Sequence, residues 1–336
     1  MKDFIKKIKN NMHLNLEEMQ EAINLIMTGM VSDTDIESFL LELNKKGISE
    51  EEISAAAIVM KDKSLKFDIG DGSHIDTCGT GGTGLRTFNC STASSFVAAA
   101  GGAKVTKHGN KAISSLSGSA DFLTESGADI SHERDKLKKI FEEVGFIFLF
   151  APLHHQAMKY VMPVRQKIAE KTIFNLLGPH TNPCGAKRQV LGVYDKKLVS
   201  SFSNVAKKLQ MEHVLVVHGD DGLDEISICS ETIISELKEH TINEYRISPK
   251  SFGLKLRTFD EIEANSSKES LILVNKAFAG ENSAVQDMIA LNSGAALYIA
   301  NITNSIKDGV EMAFELMNNG KAAQKLADYV RISKEK

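Results

Sequence analysis

The stretch from Asp76 to Asp121, DTCGTGGTGLRTFNCSTASSFVAAAGGAKVTKHGNKAISSLSGSAD, limits the fold more than any other part of the chain. Gly79, Gly81, Gly82 and Gly84 crowd one short turn. Glycine loses more freedom on folding than any other residue, so such a turn needs a reason, and close approach of backbone N–H groups to an anion supplies one. Ser91 and Thr92 stand before the apolar run from Phe96 to Ala100, where a helix should begin and present free N–H groups to negative charge. Lys107, His108 and Lys111 follow one short strand later, as a basic turn. The arrangement predicts two anion-binding turns at strand ends, suited to a ligand with phosphates at both ends.

Gly79 to Gly84 also satisfies G-x-G-x-x-G, but not the context of a dinucleotide site. That fingerprint needs a helix opening at the third glycine and an acidic residue about 20 positions on for the ribose. Here LRTFNC intervenes, and the next strand runs into Lys107 and His108, which suit phosphate.

Elsewhere the pattern divides the chain. Asn15 with Glu18, Ser32 with Asp35 and Ser49 with Glu52 place a capping side chain before an acidic third helical residue, and Gly29 and Gly47 stand where helices should stop. Apolar residues at helical spacing (Leu16, Met19, Ile23, Met27; Ile36, Phe39, Leu40, Leu43) complete an N-terminal helical domain over 1–72. From His74 onward short β runs (Ile75 to Cys78, Lys104 to Thr106, Phe146 to Phe150, Gln189 to Tyr194, Val214 to His218) alternate with helices. This predicts an α/β domain over 73–336, a mostly parallel sheet flanked by helices. Thr232 to Leu237 and Thr241 to Ile247 read as an antiparallel hairpin near its edge, and helices from about 152–182 are expected to pack back on the N-terminal ones.

Bulk properties exclude several classes. The longest apolar stretch, Phe146 to Leu153, is far below the roughly 20 residues of a membrane span, and MKDFIKKIKN carries no signal-peptide core. Cys78, Cys90, Cys184 and Cys229 are scattered without a C-x-x-C pair and read as reduced thiols of a cytoplasmic protein. A formal net charge of −4 argues against a nucleic-acid partner.

GTGG at Gly79 to Gly82, NCST at Asn89 to Thr92, KHGN at Lys107 to Asn110 and SGSAD at Ser117 to Asp121 resemble the anthranilate phosphoribosyltransferases of tryptophan biosynthesis. FLFAP at Phe148 to Pro152, PVR at Pro163 to Arg165, TIFNLLGP at Thr172 to Pro179, HGDDGLDEIS at His218 to Ser227 and LNSGAALY at Leu291 to Tyr298 continue the resemblance in order over nearly the whole chain. It implies the nucleoside phosphorylase/phosphoribosyltransferase type of fold and a homodimer joined through the N-terminal helices. It also implies transfer of ribose phosphate from phosphoribosyl pyrophosphate to the amine of anthranilate, with possible association with the amidotransferase subunit of anthranilate synthase.

By this resemblance, Gly79, Gly82, Thr83, Thr87, Asn89, Cys90, Ser91 and Thr92 hold one end of phosphoribosyl pyrophosphate. Lys107, His108, Gly109, Asn110, Lys111, Ala112, Ile113, Ser114, Ser115 and Ser119 hold the other. Asp224 and Glu225, with Ser91, are the expected ligands of Mg²⁺, two ions per subunit, since this hard cation takes oxygen donors and leans on substrate phosphates. Arg165 meets the anthranilate carboxylate bidentately, with Gly79, Asn110, His108, Pro152 and Gly178 around the acceptor. No nucleophilic or acid–base catalytic residue is expected: positioning and charge stabilisation suffice. His154 and His155 do not face each other on a helix, so at most one lines the site.

Thr83, Gln156 and Lys171 depart from the pattern, standing where Asp, Pro and Arg are usual, and KIAEKT at Lys167 to Thr172 replaces the common ELGIRT. Two alternatives share the turns. Pyrimidine-nucleoside phosphorylases are usually longer and do not carry the paired acidic metal site. A non-enzymatic nucleic-acid-binding relative should show a basic surface.

Overall fold

In the computed structural model, which describes residues 1–70, 73–112, 117–168, 170–281 and 283–335, the chain opens with four helices, α1 (Lys2–Lys9), α2 (Leu16–Met27), α3 (Asp33–Lys46) and α4 (Glu50–Lys63). The expected caps form. Asn15 and Glu18 make a reciprocal capping box on α2, as Ser49 and Glu52 do on α4, and Ser32 accepts from the Asp35 N–H on α3. Such caps are each worth about 1 kcal/mol. Gly47 ends α3 at φ 88°, which only glycine adopts cheaply.

The rest alternates strand and helix: β1 (Ile75–Asp76), α5 (Cys90–Ala100), β2 (Val105–Gly109), α6 (Ser119–Glu125), α7 (Arg134–Val144) and β3 (Phe146–Phe150). Short helices α8 (Ala151–His154), α9 (Met162–Ile168) and α10 (Ile173–Leu177) follow, then β4 (Arg188–Gly192), α11 (Leu198–Lys208) and β5 (His213–Gly219). The hairpin β6 (Thr232–Lys238) and β7 (Thr241–Ile247) precedes α12 (Ser267–Phe278), α13 (Ala284–Ile299), α14 (Ile306–Asn318) and α15 (Lys321–Lys334). The strands form one seven-stranded sheet in the order β3-β2-β1-β4-β5-β6-β7. β3 through β5 in that order run parallel, whereas β6 and β7 add antiparallel at the edge.

Alternation along β5 explains how the two cores meet the sheet. Leu215 and Val217 face a core shared with α5 and α12 to α15, whereas Val214 and Val216 face one shared with α1 to α4, α10 and α11. The returning segment supplies Val161, Val164, Ile173, Phe174, Leu176 and Leu177 to this second core. Among the described residues no helix is long and apolar enough to cross a membrane. One expectation shifts. Lys107 and His108 lie inside β2, paired with Phe148 and Leu149 of β3, not in a turn beyond it.

Candidate active site

The central strand β1 has only two residues, and the chain leaves it at Asp76 directly into the glycine turn. Asp76 is fully buried and accepts from the Thr77 N–H (2.7 Å), the His108 N–H (3.3 Å) and Asn182 Nδ2 (2.8 Å). Burial nevertheless pushes its carboxyl up to about 6, with Lys107 opposing the shift. The Lys107 ammonium, itself buried, donates to the Thr77 carbonyl (3.2 Å), Thr77 Oγ1 (3.0 Å) and Ser91 Oγ (3.2 Å). Lys107 thus ties the turn to the start of α5.

Gly81, Gly82 and Gly84 have φ of 61°, 76° and 75°, a left-handed geometry that glycine adopts without Cβ strain. It packs against the end of β4 and the acidic turn after β5. Thr80 N donates to the Gly192 carbonyl (2.8 Å) and Gly81 N to Asp224 Oδ2 (2.9 Å). A Cβ at Gly79 would meet the Gly192 carbonyl at 3.0 Å and Asp224 Oδ2 at 3.1 Å. Thr83 uses its hydroxyl within the turn, accepting from Leu85 N (3.2 Å).

Asp224 and Glu225 face this turn and the N-terminus of α5. Glu225 Oε1 accepts from Ser91 N (3.0 Å), but Oε2 is buried with no partner. Burial, then Asp224, pushes the Glu225 carboxyl up to about 8, and burial raises Asp224 too. Asn292 of α13 holds the acidic turn by accepting from Ile226 N (2.9 Å) and donating to the Ile226 carbonyl (2.9 Å). A cavity of about 40 Å³ separates the parts, lined by Thr77, Gly79, Ser91, Ser94, Gly192, Asp224 and Glu225, among others. The orphaned oxygen and the neighbouring hydroxyl suit a hard cation. Among the described residues no three His, Cys, Asp or Glu side chains are grouped so as to hold a metal ion.

The other expected phosphate-side residues divide. Asn89 is engaged by the protein: its Oδ1 accepts from Ser117 and Ser270 hydroxyls (2.9 Å each). Thr87 bridges to Glu263, and the Cys90 sulfur packs in the core near Ser94 and Met288. The Thr92 hydroxyl is buried without a partner. A Cβ at Gly109 would strike Ser119 Oγ and the Phe148 ring. Lys111 and Asn110 are exposed, Ser119 donates to the Asn110 carbonyl (3.3 Å), and Asp121 accepts from Ala112 N (2.9 Å) and Gly118 N (2.8 Å). Ile113, Ser114 and Ser115 lie outside the described residues.

On the opposite wall, Arg165 of α9 is half-buried and has no acidic partner among the described residues; it donates to Asn175 Oδ1 (3.3 Å) and lies 5.9 Å from the Phe174 ring centroid. Burial lowers its pKa, as expected for a cation held ready without a counter-charge. His108 Nδ1 is 3.2 Å from the Gly178 carbonyl, its Nε2 is buried without a partner, and burial pushes the ring down to about 3. His155 lies 5.1 Å from it ring to ring, whereas His154 pairs with the Leu65 carbonyl (3.1 Å), so the adjacent histidines diverge. Pro152 is exposed near the start of α8.

Residues 71–323 match the family described as glycosyl transferase family, a/b domain, and residues 2–64 match its helical bundle domain. The anthranilate phosphoribosyltransferase of Vesicomyosocius okutanii is 46% identical over 98% of this chain and 97% of its own length. That of Alkalilimnicola ehrlichii is 44% identical over 100% and 99%. The chain belongs to the anthranilate phosphoribosyltransferase family. The crystal structure of the family member from Thermus thermophilus superposes with a TM-score of 0.93 at 36% identity, covering 99% of this chain and 100% of that one. The Saccharomyces cerevisiae enzyme in complex with phosphoribosyl pyrophosphate and magnesium gives 0.90 at 26%, covering 98% and 97%. Within the family's fold, sequence reasoning missed Asp76 and Asn182. Asp76 sits at a strand end just before the glycine turn, a signal that could have drawn attention to it; Asn182 lies far away in sequence and gave none.

Proposed function

We infer that this chain transfers the 5-phosphoribosyl group from phosphoribosyl pyrophosphate to the amine of anthranilate, giving N-(5-phosphoribosyl)anthranilate and pyrophosphate in L-tryptophan biosynthesis. The observation that carries this reading is the Asp224–Glu225 pair, with one buried oxygen left unpartnered, set against a glycine turn and a helix N-terminus. A nucleoside phosphorylase would have no use for that pair.

Breaking the bond from C1 to pyrophosphate leaves positive charge on the sugar and negative charge on the leaving group, so separated charge must be stabilised. The turn at Gly79 to Gly82, the α5 N-terminus and the strand-end residues of β2 take the polyanion in this reading. Asp224, Glu225 and Ser91 would hold magnesium, two ions per subunit, because the pyrophosphate carries more charge than one ion offsets. When bound, magnesium neutralises the leaving group. Arg165 takes the anthranilate carboxylate, and Gly178, His108 and Pro152 frame the ring. Orientation of the aromatic amine then replaces activation by a base, which agrees with an imidazole at His108 that stays neutral.

The same reading divides the chain near residue 72, with 152–182 returning to the helical bundle, so that acceptor-side and phosphate-side groups face each other across a cleft. It includes a homodimer in the cytoplasm that covers exposed Met12, Leu16, Met30 and Leu41, and association with the amidotransferase subunit of anthranilate synthase, which co-purification tests. Loss of anthranilate fluorescence on adding phosphoribosyl pyrophosphate and Mg²⁺, abolished by EDTA, is the expected result. Phosphorolysis of thymidine or uridine without loss of anthranilate would overturn the reading.

A further inference from the structure

Lys171 lies between α9 and α10, and its backbone belongs to the helical side: Asn44 Nδ2 of α3 donates to its carbonyl at 2.5 Å. Its side chain reaches across. The ammonium donates to the Gly82 carbonyl (2.8 Å) and sits 3.4 Å from the centroid of the Tyr194 ring. Tyr194 is registered on the same turn, because its N–H donates to Thr80 Oγ1 (3.1 Å). A Cβ at Gly82 would press on Lys171 Cε at 3.3 Å, so the glycine there accommodates the lysine as well as the left-handed φ.

The segment continues toward the acceptor. Thr172 N donates to Asn175 Oδ1 (2.9 Å), and the same oxygen accepts from Arg165 (3.3 Å). One short stretch of chain therefore connects the Arg165 guanidinium with the glycine turn. Both lysine contacts are of the stronger kinds, a charge-assisted hydrogen bond and a cation over an aromatic face. Four glycines otherwise leave the turn free to sample many shapes, so an anchor on Gly82 removes entropy that ligand binding would have to remove.

We propose that Lys171 is a positioning residue that latches the glycine turn to the helical side, so that the turn is ordered for the phosphate ligand only when the acceptor wall is in place. This rests on the transferase reading for its kinetic consequence, but not for its structural one. Lys171→Met keeps the stem and removes the charge; Lys171→Arg keeps a donor and a cation that can lie on Tyr194.

The test has two arms. In the ligand-free protein, amide hydrogen exchange over residues 79–85 should accelerate in Lys171→Met and return to the wild-type rate in Lys171→Arg. In steady-state kinetics, KM for phosphoribosyl pyrophosphate should rise roughly tenfold in Lys171→Met, with kcat and KM for anthranilate within about twofold of wild type. Unchanged exchange and unchanged KM would overturn the latch. So would equal rises in both KM values with a lowered Tm, which mark a structural residue only. If the wild type itself fails to consume anthranilate, the transferase reading falls and the exchange arm alone decides the latch.

Discussion

Two glutamates with buried carboxylate oxygens sit in this molecule under opposite regimes. Glu52, in the helical bundle, is fully buried and saturated: it accepts from Leu14 N (3.0 Å), Ser49 N (2.8 Å) and Lys46 Nζ (2.8 Å), with His13 Nδ1 at 3.2 Å. Burial pushes its carboxyl up, but Lys46 and the other donors outweigh this and hold it below the ordinary range. Glu225 has one donor, Ser91 N, and an oxygen with none; burial and Asp224 win, and its carboxyl rises to about 8. A carboxylate oxygen shut away from water is common to both. What separates a structural charge from a working one is whether the protein completes its hydrogen bonds or leaves them for a ligand.

The strongest way to break this contrast is Asp224→Asn with Glu225→Gln. Removing this acidic pair, with its one unpartnered oxygen, should lower kcat by ~10³-fold without lowering Tm. Loss of stability instead would place these side chains in the framework. Glu52→Gln should do the reverse, because it leaves the Lys46 ammonium without its counter-charge. A loss of about 3 kcal/mol in urea unfolding is expected, with kcat per folded molecule unchanged.

Arg165→Ala removes a cation that has no acidic partner among the described residues. KM for anthranilate should rise by a factor corresponding to about 2 kcal/mol, while KM for phosphoribosyl pyrophosphate changes little. Equal damage to both substrates would make Arg165 a fold residue.

Metal-free stability against pH sharpens the contrast further. Glu225 binds its proton more tightly folded than unfolded, so its contribution is full below its ordinary value of 4.5 and is lost as pH rises through about 8. Glu52 has the opposite sign, contributing above 4.5 and losing that contribution as pH falls through its lowered value. Unfolding free energies from urea titrations between pH 5 and 9 should therefore decline more steeply for wild type than for Glu225→Gln, by about 1 kcal/mol after solvent screening. Parallel curves would mean that Glu225 is already ionised. The smallest effect belongs to Thr83→Asp. An aspartate can still accept from Leu85 N but adds charge beside the phosphate turn, so the Mg²⁺ dependence of the rate should shift about twofold with anthranilate KM unchanged. Superimposable titrations would show that residue 83 does not sense the ion.

Local chemistry was what the sequence made legible. Asn15, Ser32 and Ser49 cap within three residues of themselves, and the hairpin turn between β6 and β7 is equally short-range. The seven strands are likewise close to their predicted places, since short apolar runs between helical segments mark strands of a covered sheet. Lys107 and His108 read as a turn because charged pairs rarely sit in a central strand; the buried acceptors that make them welcome there, on Thr77 and Ser91, come from elsewhere in the chain. Lys171 with Gly82 and Asn182 with Asp76 are joined only by folding, and no spacing rule reaches across such separations. The candidate site residues were found through ordered motifs, whereas the contacts that hold them were not.

The two-residue length of β1 carries one more implication. Beyond Asp76 the ladder toward β2 is continued by side chains: the Asp76 carboxylate accepts from the His108 N–H, and the Lys107 ammonium donates to the Thr77 carbonyl. The middle of the sheet therefore has a notch whose edges are upholstered with ionisable groups where a longer strand would have inert amides. Substitutions that favour extended backbone at residues 77–80 would heal the notch and stiffen the sheet, trading the opening of the candidate site for regularity. Selection for thermostability in this protein should accordingly find its gains far from the centre of its own sheet.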